Sequence, residues 1–162
     1  MELKDFADAW GDPDTPPVHI DPADLNKVER TFAITLPADY VHQVTSVGLP
    51  FAPHLLDQIV ERRLNMHDLS HLATPDEIIE ETTDWRPIGL PENLLVIGWD
   101  SMGNKFCFDI TQLSGASVQN AAVYFWDHDF GDTSKVAVSF SAWIARLVKL
   151  PKRRWWLLGL PL

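Results

Sequence analysis

A single cysteine, Cys107, in 162 residues excludes an internal disulfide and any cysteine-based zinc cluster. Long apolar runs are missing, and none approaches the ~20 residues of a membrane span. The first ten residues, MELKDFADAW, carry acids and lack the apolar stretch of a signal peptide. The glycine patterns of nucleophile elbows, P-loops and dinucleotide folds are absent, and Gly103-Asn104-Lys105 lacks the rest of a Walker loop. Bases are scarce: 13 Lys and Arg face 23 Asp and Glu, a formal net charge of −10. Phosphate repels such a surface, so nucleic acid is a poor partner. These absences predict a cytosolic protein without membrane or nucleic-acid contact.

What is present describes one globular domain. The chain is 46% hydrophobic and 22% charged, and a domain of this length buries roughly 70% of its unfolded surface without staples. The charge is uneven. Arg146, Lys149, Lys152, Arg153 and Arg154 give residues 146–162 a charge of +5, which leaves 23 acids against 8 bases, or −15, in residues 1–145. Net acidity of this size either serves solubility alone or suits a basic partner.

The periodicity predicts helices first. Leu3, Phe6, Ala7 and Trp10 share a helical face that Gly11 ends, and DPDTPP (12–17) is a stiff connector. Asp21 caps a helix with Pro22 at its first position and Leu25, Val28 and Phe32 on one face. LPADY (36–40) opens another, with Tyr40, Val44 and Val47 as its stripe and Gly48 as its stop. Residues 53–64 read as a third short amphipathic helix burying Leu55, Leu56, Ile59, Val60 and Leu64. Thr74-Pro75-Asp76-Glu77 is a capping box opening an acidic helix through about Thr83.

The period then shortens to that of strands. LLVIGW (94–99), KFCFDI (105–110) and AAVYFW (121–126) are strands, and KVAVSF (135–140) leads into a closing helix capped by Ser139, with Phe140, Trp143, Ile144 and Leu147 buried. Gly103-Asn104 suits the positive φ of a hairpin turn. Helices, then hairpin-linked strands, then a helix make an α+β domain around an antiparallel or mixed sheet.

Few residues suggest chemistry. On a helix His67 and His71, with Asp68 between, would share a face and could hold a divalent metal, but no third ligand is near, and Leu69 and Leu72 suggest a core-packing turn. Asp127, Asp129 and Asp132 around Gly131 lack the spacing and closing Glu of a calcium loop. Cys107, between Phe106 and Phe108, faces away from both as a buried, inert thiol. No catalytic residue, metal or cofactor is therefore assigned. The acids fall into three groups: Asp76, Glu77, Glu80, Glu81 and Asp84 on the helix, Asp100 after the first strand, and Asp127, Asp129 and Asp132 after the third; all but Asp76 and Glu77 are the candidate partner surface. If the strands are antiparallel in sequence order, both loops fall at one end of the sheet and form a patch that steers a basic partner. The alternative is scattered, solvated loop charge.

Four segments in order resemble the SUKH superfamily, the Smi/Knr-type domain. VERTFAITLPADYVHQV (28–44) is similar to its opening helix, LP-x-x-Y step and second helix. HDLSHLATPDEIIEETTDW (67–85) resembles its leucine step, acidic helix and tryptophan. LLVIGWDSMGNKFCFDI (94–110) resembles its hairpin, and VAVSFSAWIARL (136–147) its closing helix. The chain departs from the pattern at Ser46-Val47-Gly48-Leu49, where the family has Asn-Gly-Gly, and carries one hairpin glycine where two are common. The resemblance covers 28–147 within a single 1–162 domain, with 1–20 an N-terminal extension and 151–162 an apolar, basic tail. It implies an α+β fold without shared catalytic residues and, most often, an immunity protein that blocks a cognate toxin, a nuclease or deaminase domain. A cytosolic interaction module of another complex is the alternative, and a small metal-dependent enzyme using His67 and His71 or the aspartate loop is the reading from a different class. The tail, RRWWLLGLPL (153–162), is too short to span a bilayer. It is expected to pack on its own domain or on a neighbouring chain, which would give a homodimer.

Overall fold

The computed structural model describes residues 1–151; the tail expected to pack lies outside the described residues. Six helices and five strands are present among them: α1 Glu2–Trp10, α2 Pro22–Phe32, α3 Ala38–Val47, α4 Leu55–Glu61, β1 His71–Leu72, α5 Pro75–Trp85, β2 Leu94–Trp99, β3 Lys105–Asp109, β4 Val123–Trp126, β5 Thr133–Ala137 and α6 Phe140–Val148. The α+β architecture read from the sequence is the one observed. Local chemistry sets the helix starts. The Asp21 carboxylate accepts from the Ala23 N–H at 2.9 Å, and Ser139 Oγ accepts from the Ala142 N–H at 3.0 Å. Thr74 and Glu77 cap each other's backbone at the start of α5. Gly48 ends α3 at φ +85°, and a Cβ there would lie 2.6 Å from the Val18 carbonyl oxygen. Only glycine lets the chain fold back so that Leu49 pairs with Val18.

The sheet is an antiparallel meander in the order β1-β2-β3-β4-β5. Alternation divides its side chains between two faces. Leu95, Ile97, Phe106, Phe108, Val123 and Phe125 join the helices in the main core. Leu94, Val96, Cys107 and Trp126 form a second, smaller cluster with Leu90, against which Trp85 and Trp99 pack. Cys107 is fully buried there, and burial pushes its thiol pKa up against the opposing pull of the Lys105 ammonium. A thiol so placed is unreactive.

A polar strut ties α1, α3 and α6 together. The buried Gln43 accepts from the Leu3 N–H at 2.7 Å and donates to Ser141 Oγ at 2.9 Å. Trp10 Nε1 donates to the Leu147 carbonyl at 2.9 Å. The segment read as an N-terminal extension thus contributes Leu3, Phe6 and Trp10 to the main core.

Three local expectations are corrected. The helix read over 53–64 is α4 and spans only Leu55–Glu61; it buries Leu55, Gln58 and Ile59 and exposes Leu56 and Val60. Arg63, at φ 52°, turns the chain away before a longer face can form. His67–His71 is not helical: His71 and Leu72 pair with Trp99 and Gly98 as an edge strand. The final strand begins at Thr133 and ends at Ala137, because Ser139 is already committed to capping α6.

Candidate acidic interface

The meander puts the β2–β3 turn (100–104) and the β4–β5 loop (127–132) at the same end of the sheet, since Trp99 pairs with Lys105, Lys105 with Trp126, and Trp126 with Thr133. The two tips are joined. Asp100, which is buried, accepts from the Met102 N–H at 2.9 Å, the Asn104 N–H at 2.8 Å and Asn104 Nδ2 at 3.1 Å. Asn104 Oδ1 in turn accepts from the His128 N–H at 3.2 Å and lies 2.8 Å from His128 Nδ1. On the outer side the buried Asp68 accepts from Ser101 Oγ at 2.6 Å. The chain therefore runs Asp100–Asn104–His128 from one tip to the other, and the His128 ring meets Trp85 edge-on at 5.6 Å.

The C-terminal half of α5 lies against the same end. Lys105 Nζ is 2.7 Å from Glu81 Oε2 and sits over the rings of Trp85 and Trp99, at 4.5 and 5.0 Å from their centroids. Its side chain is 5% exposed and that of Glu81 28%. Asp127 turns its carboxylate back onto its own loop, accepting from the N–H groups of Asp129 (2.9 Å) and Phe130 (3.1 Å). Asp129 and Asp132 are exposed on that loop, and Glu80 and Asp84 on α5. Of the seven acids singled out from sequence, these four face solvent, while Asp100, Asp127 and Glu81 hold the tips and the buried lysine. An aspartate followed within two to four residues by backbone N–H partners is an Asx-turn signature, so Asp100 and Asp127 were open to that reading from sequence. The Glu81–Lys105 pair joins residues too far apart in sequence to be seen there. Lys135 lies farther along β5, where it lines a groove with Phe106, Trp143, Arg146 and Lys149.

Gly103 holds φ +85° in the first tip, with room for a side chain: a Cβ there would be 3.7 Å from His128 Cε1. The strain of a left-handed β-branched residue then dominates. Gly103→Val is expected to cost about 1–2 kcal/mol and to lower Tm by about 3–6 °C in a thermal melt. An unchanged Tm would show that the turn can be built without the glycine.

The histidines suggested as ligands are placed otherwise. The His67 ring stacks on Phe125 at 3.5 Å, and His71 stacks on Trp99 with its Nε2 2.7 Å from Glu77 Oε2. Among the described residues no group of three or more His, Cys, Asp or Glu side chains converges to hold a metal ion, and no helix is long and apolar enough to cross a membrane.

No curated protein matches the chain. A family model, the SMI1 / KNR4 family (SUKH-1), matches residues 19–146 and so spans the sheet, both tips, α2 to α5 and most of α6. The sequence resemblance, the antiparallel meander and this match agree: the chain belongs to the SMI1/KNR4 family (SUKH-1), whose members are generally immunity proteins of polymorphic toxin systems.

Proposed function

We propose that this protein is a non-catalytic cytosolic immunity protein that neutralises a cognate toxin domain with a basic surface, and that the acidic end of its sheet is the surface that meets the toxin. The observation that carries this reading is the joining of two hairpin tips and the end of α5 into one end that exposes Asp129, Asp132, Glu80 and Asp84. The lysine at that end, Lys105, is buried and paired. A nuclease or a nucleobase deaminase must attract phosphate and presents bases for it. An acidic inhibitor competes for those bases, gains long-range attraction and blocks the substrate's approach in one contact. Family membership supports the same reading.

The direct test is growth. Cells making a candidate toxin domain, taken from the genes flanking this one, should survive only when the chain is co-expressed. Purified components should show no loss of toxin substrate while the complex holds, and failure to protect or to bind would overturn the proposal. The charge has its own test. Asp129→Asn with Asp132→Asn removes two exposed charges and leaves the Asp127 loop hydrogen bonds in place. Association with the toxin domain should slow by about tenfold at low salt and converge on wild type as salt screens both. Stopped-flow rates across ionic strength measure this, and an unchanged salt slope would remove these acids from the interface.

A further inference from the structure

The acids at the tips explain attraction but leave two side chains unaccounted for. Among the large apolar residues that the structure describes, the two most exposed are Phe130, at 81%, and Met102, at 75%. They stand on the two tips that the Asn104–His128 bonds join. Isolated apolar side chains on a surface need no explanation; two on adjoining, cross-linked tips are a different matter. Neither side chain is required by its turn. Met102 and Phe130 are held through their backbone N–H groups, by Asp100 and Asp127, and any residue offers that N–H except proline.

We propose that Met102 and Phe130 are the paired apolar anchors of the toxin interface, set in a rim of Asp129, Asp132 and Asp84, and that the occupant is a protein surface with two apolar hollows bordered by Lys and Arg. The inference rests on the reading of the chain as a toxin-binding protein and adds which residues hold the complex together. Interfaces concentrate their energy in a few apolar anchors enclosed by polar neighbours, and anchors on a rigid support lose little freedom on binding. Here the support is built in. Asp68 and Asp100 are buried carboxylates that hold the Met102 turn, Asp68 through Ser101 and Asp100 through Met102 and Asn104. His128, wedged between Asn104 and Trp85, fixes the start of the Phe130 loop. Charge selects the occupant. A second copy docked by this face would bring its own acids against Asp129 and Asp132, a like-charge contact. A basic partner meets no such penalty.

The roles divide by rate constant. The acids act on approach, and the anchors on residence. The probe is the toxin domain against which the chain protects in the growth test, with its catalysis disabled, bound to full-length protein. Met102→Ser with Phe130→Ser should weaken binding by about tenfold or more, almost entirely through faster dissociation. Both positions are exposed, so circular dichroism and Tm should be unchanged. Val138→Ser, another exposed apolar site beyond the opposite end of β5, should leave both rate constants within twofold. If the wild type protects cells from the toxin but the double variant dissociates no faster, the anchors are wrong while the toxin-binding reading stands. If the wild type neither binds nor protects, the reading beneath the anchors fails as well. If the wild type sediments as a dimer and the double variant as a monomer, the occupant is a second copy and the proposal is overturned.

Discussion

Glu81→Ala should destabilise the domain by about 3 kcal/mol, even though Glu81 stands among the acids at the candidate interface. The reason lies in what it leaves behind. Lys105 is on β3 with its side chain 5% exposed, and Glu81 is its counter-ion at 2.7 Å. Without the carboxylate, a buried ammonium keeps only the faces of Trp85 and Trp99 for compensation. A desolvated cation–π contact returns about 2 kcal/mol or somewhat more, and burying an unpaired charge costs several. The 28% exposure of Glu81 lets water reach the site, which holds the loss near the lower end of the range for broken buried pairs. Replacing both partners should cost far less. Lys105→Met with Glu81→Gln keeps the volume and removes both charges, and should lie within about 1 kcal/mol of wild type. Urea unfolding of the single and double variants measures both. A Glu81→Ala midpoint equal to wild type would show that Lys105 does not depend on it. The functional corollary is that toxin binding by the folded fraction of Glu81→Ala should change little, in contrast to Asp129 and Asp132.

Much of this arrangement could be read in the sequence because it depends on near neighbours. The α5 capping box needs only Thr74 and Glu77, and the tip glycine only its place between two strands. The split of Phe106 and Phe108 from Cys107 follows from alternation. The shared end of the two loops followed too, conditional on an antiparallel order that the meander meets. What stayed hidden depends on pairs distant in the chain. Nothing in DSMGN says that Asn104 will reach His128, 24 residues away. Nothing in the helical stripe of 53–64 says that Arg63 will turn left-handed and leave Val60 outside. A two-residue strand such as β1 has too few positions to show a period at all. The exposure of Met102 and Phe130 was equally illegible, since an apolar residue in a loop is as often folded inward as left in water.

Phe108→Ala should have the largest effect on stability and almost none on the interface. Phe108 is fully buried on β3, at the end of the strand away from the tips, where it pairs with Leu95 and Val123. Its ring meets Tyr40 of α3 edge-on at 5.5 Å, and Tyr40 meets Phe140 of α6 at 5.1 Å. One aromatic chain thus joins the sheet to two helices, and it is the point where the halves of the sequence, helical and stranded, close on each other. Truncation removes the transfer energy of a ring and leaves a cavity walled by residues that are themselves fixed. Together these cost about 3–5 kcal/mol, and the lost edge-on contact adds about 1 more. Domains are stable by only about 5–15 kcal/mol, so Tm should fall by roughly 8–24 °C in calorimetry. Phe108→Leu, which fills most of the space, should recover over half of the loss. Below the lowered Tm the toxin domain should bind Phe108→Ala with wild-type rate constants, because the tips are clamped by Asp68, Asp100, Asn104 and His128 rather than by this cluster. A shift under about 4 °C would mean that the Tyr40–Phe108–Phe140 chain is not what joins sheet to helices. A large change in binding at full folding would mean that the tips depend on the main core and are not an independent platform.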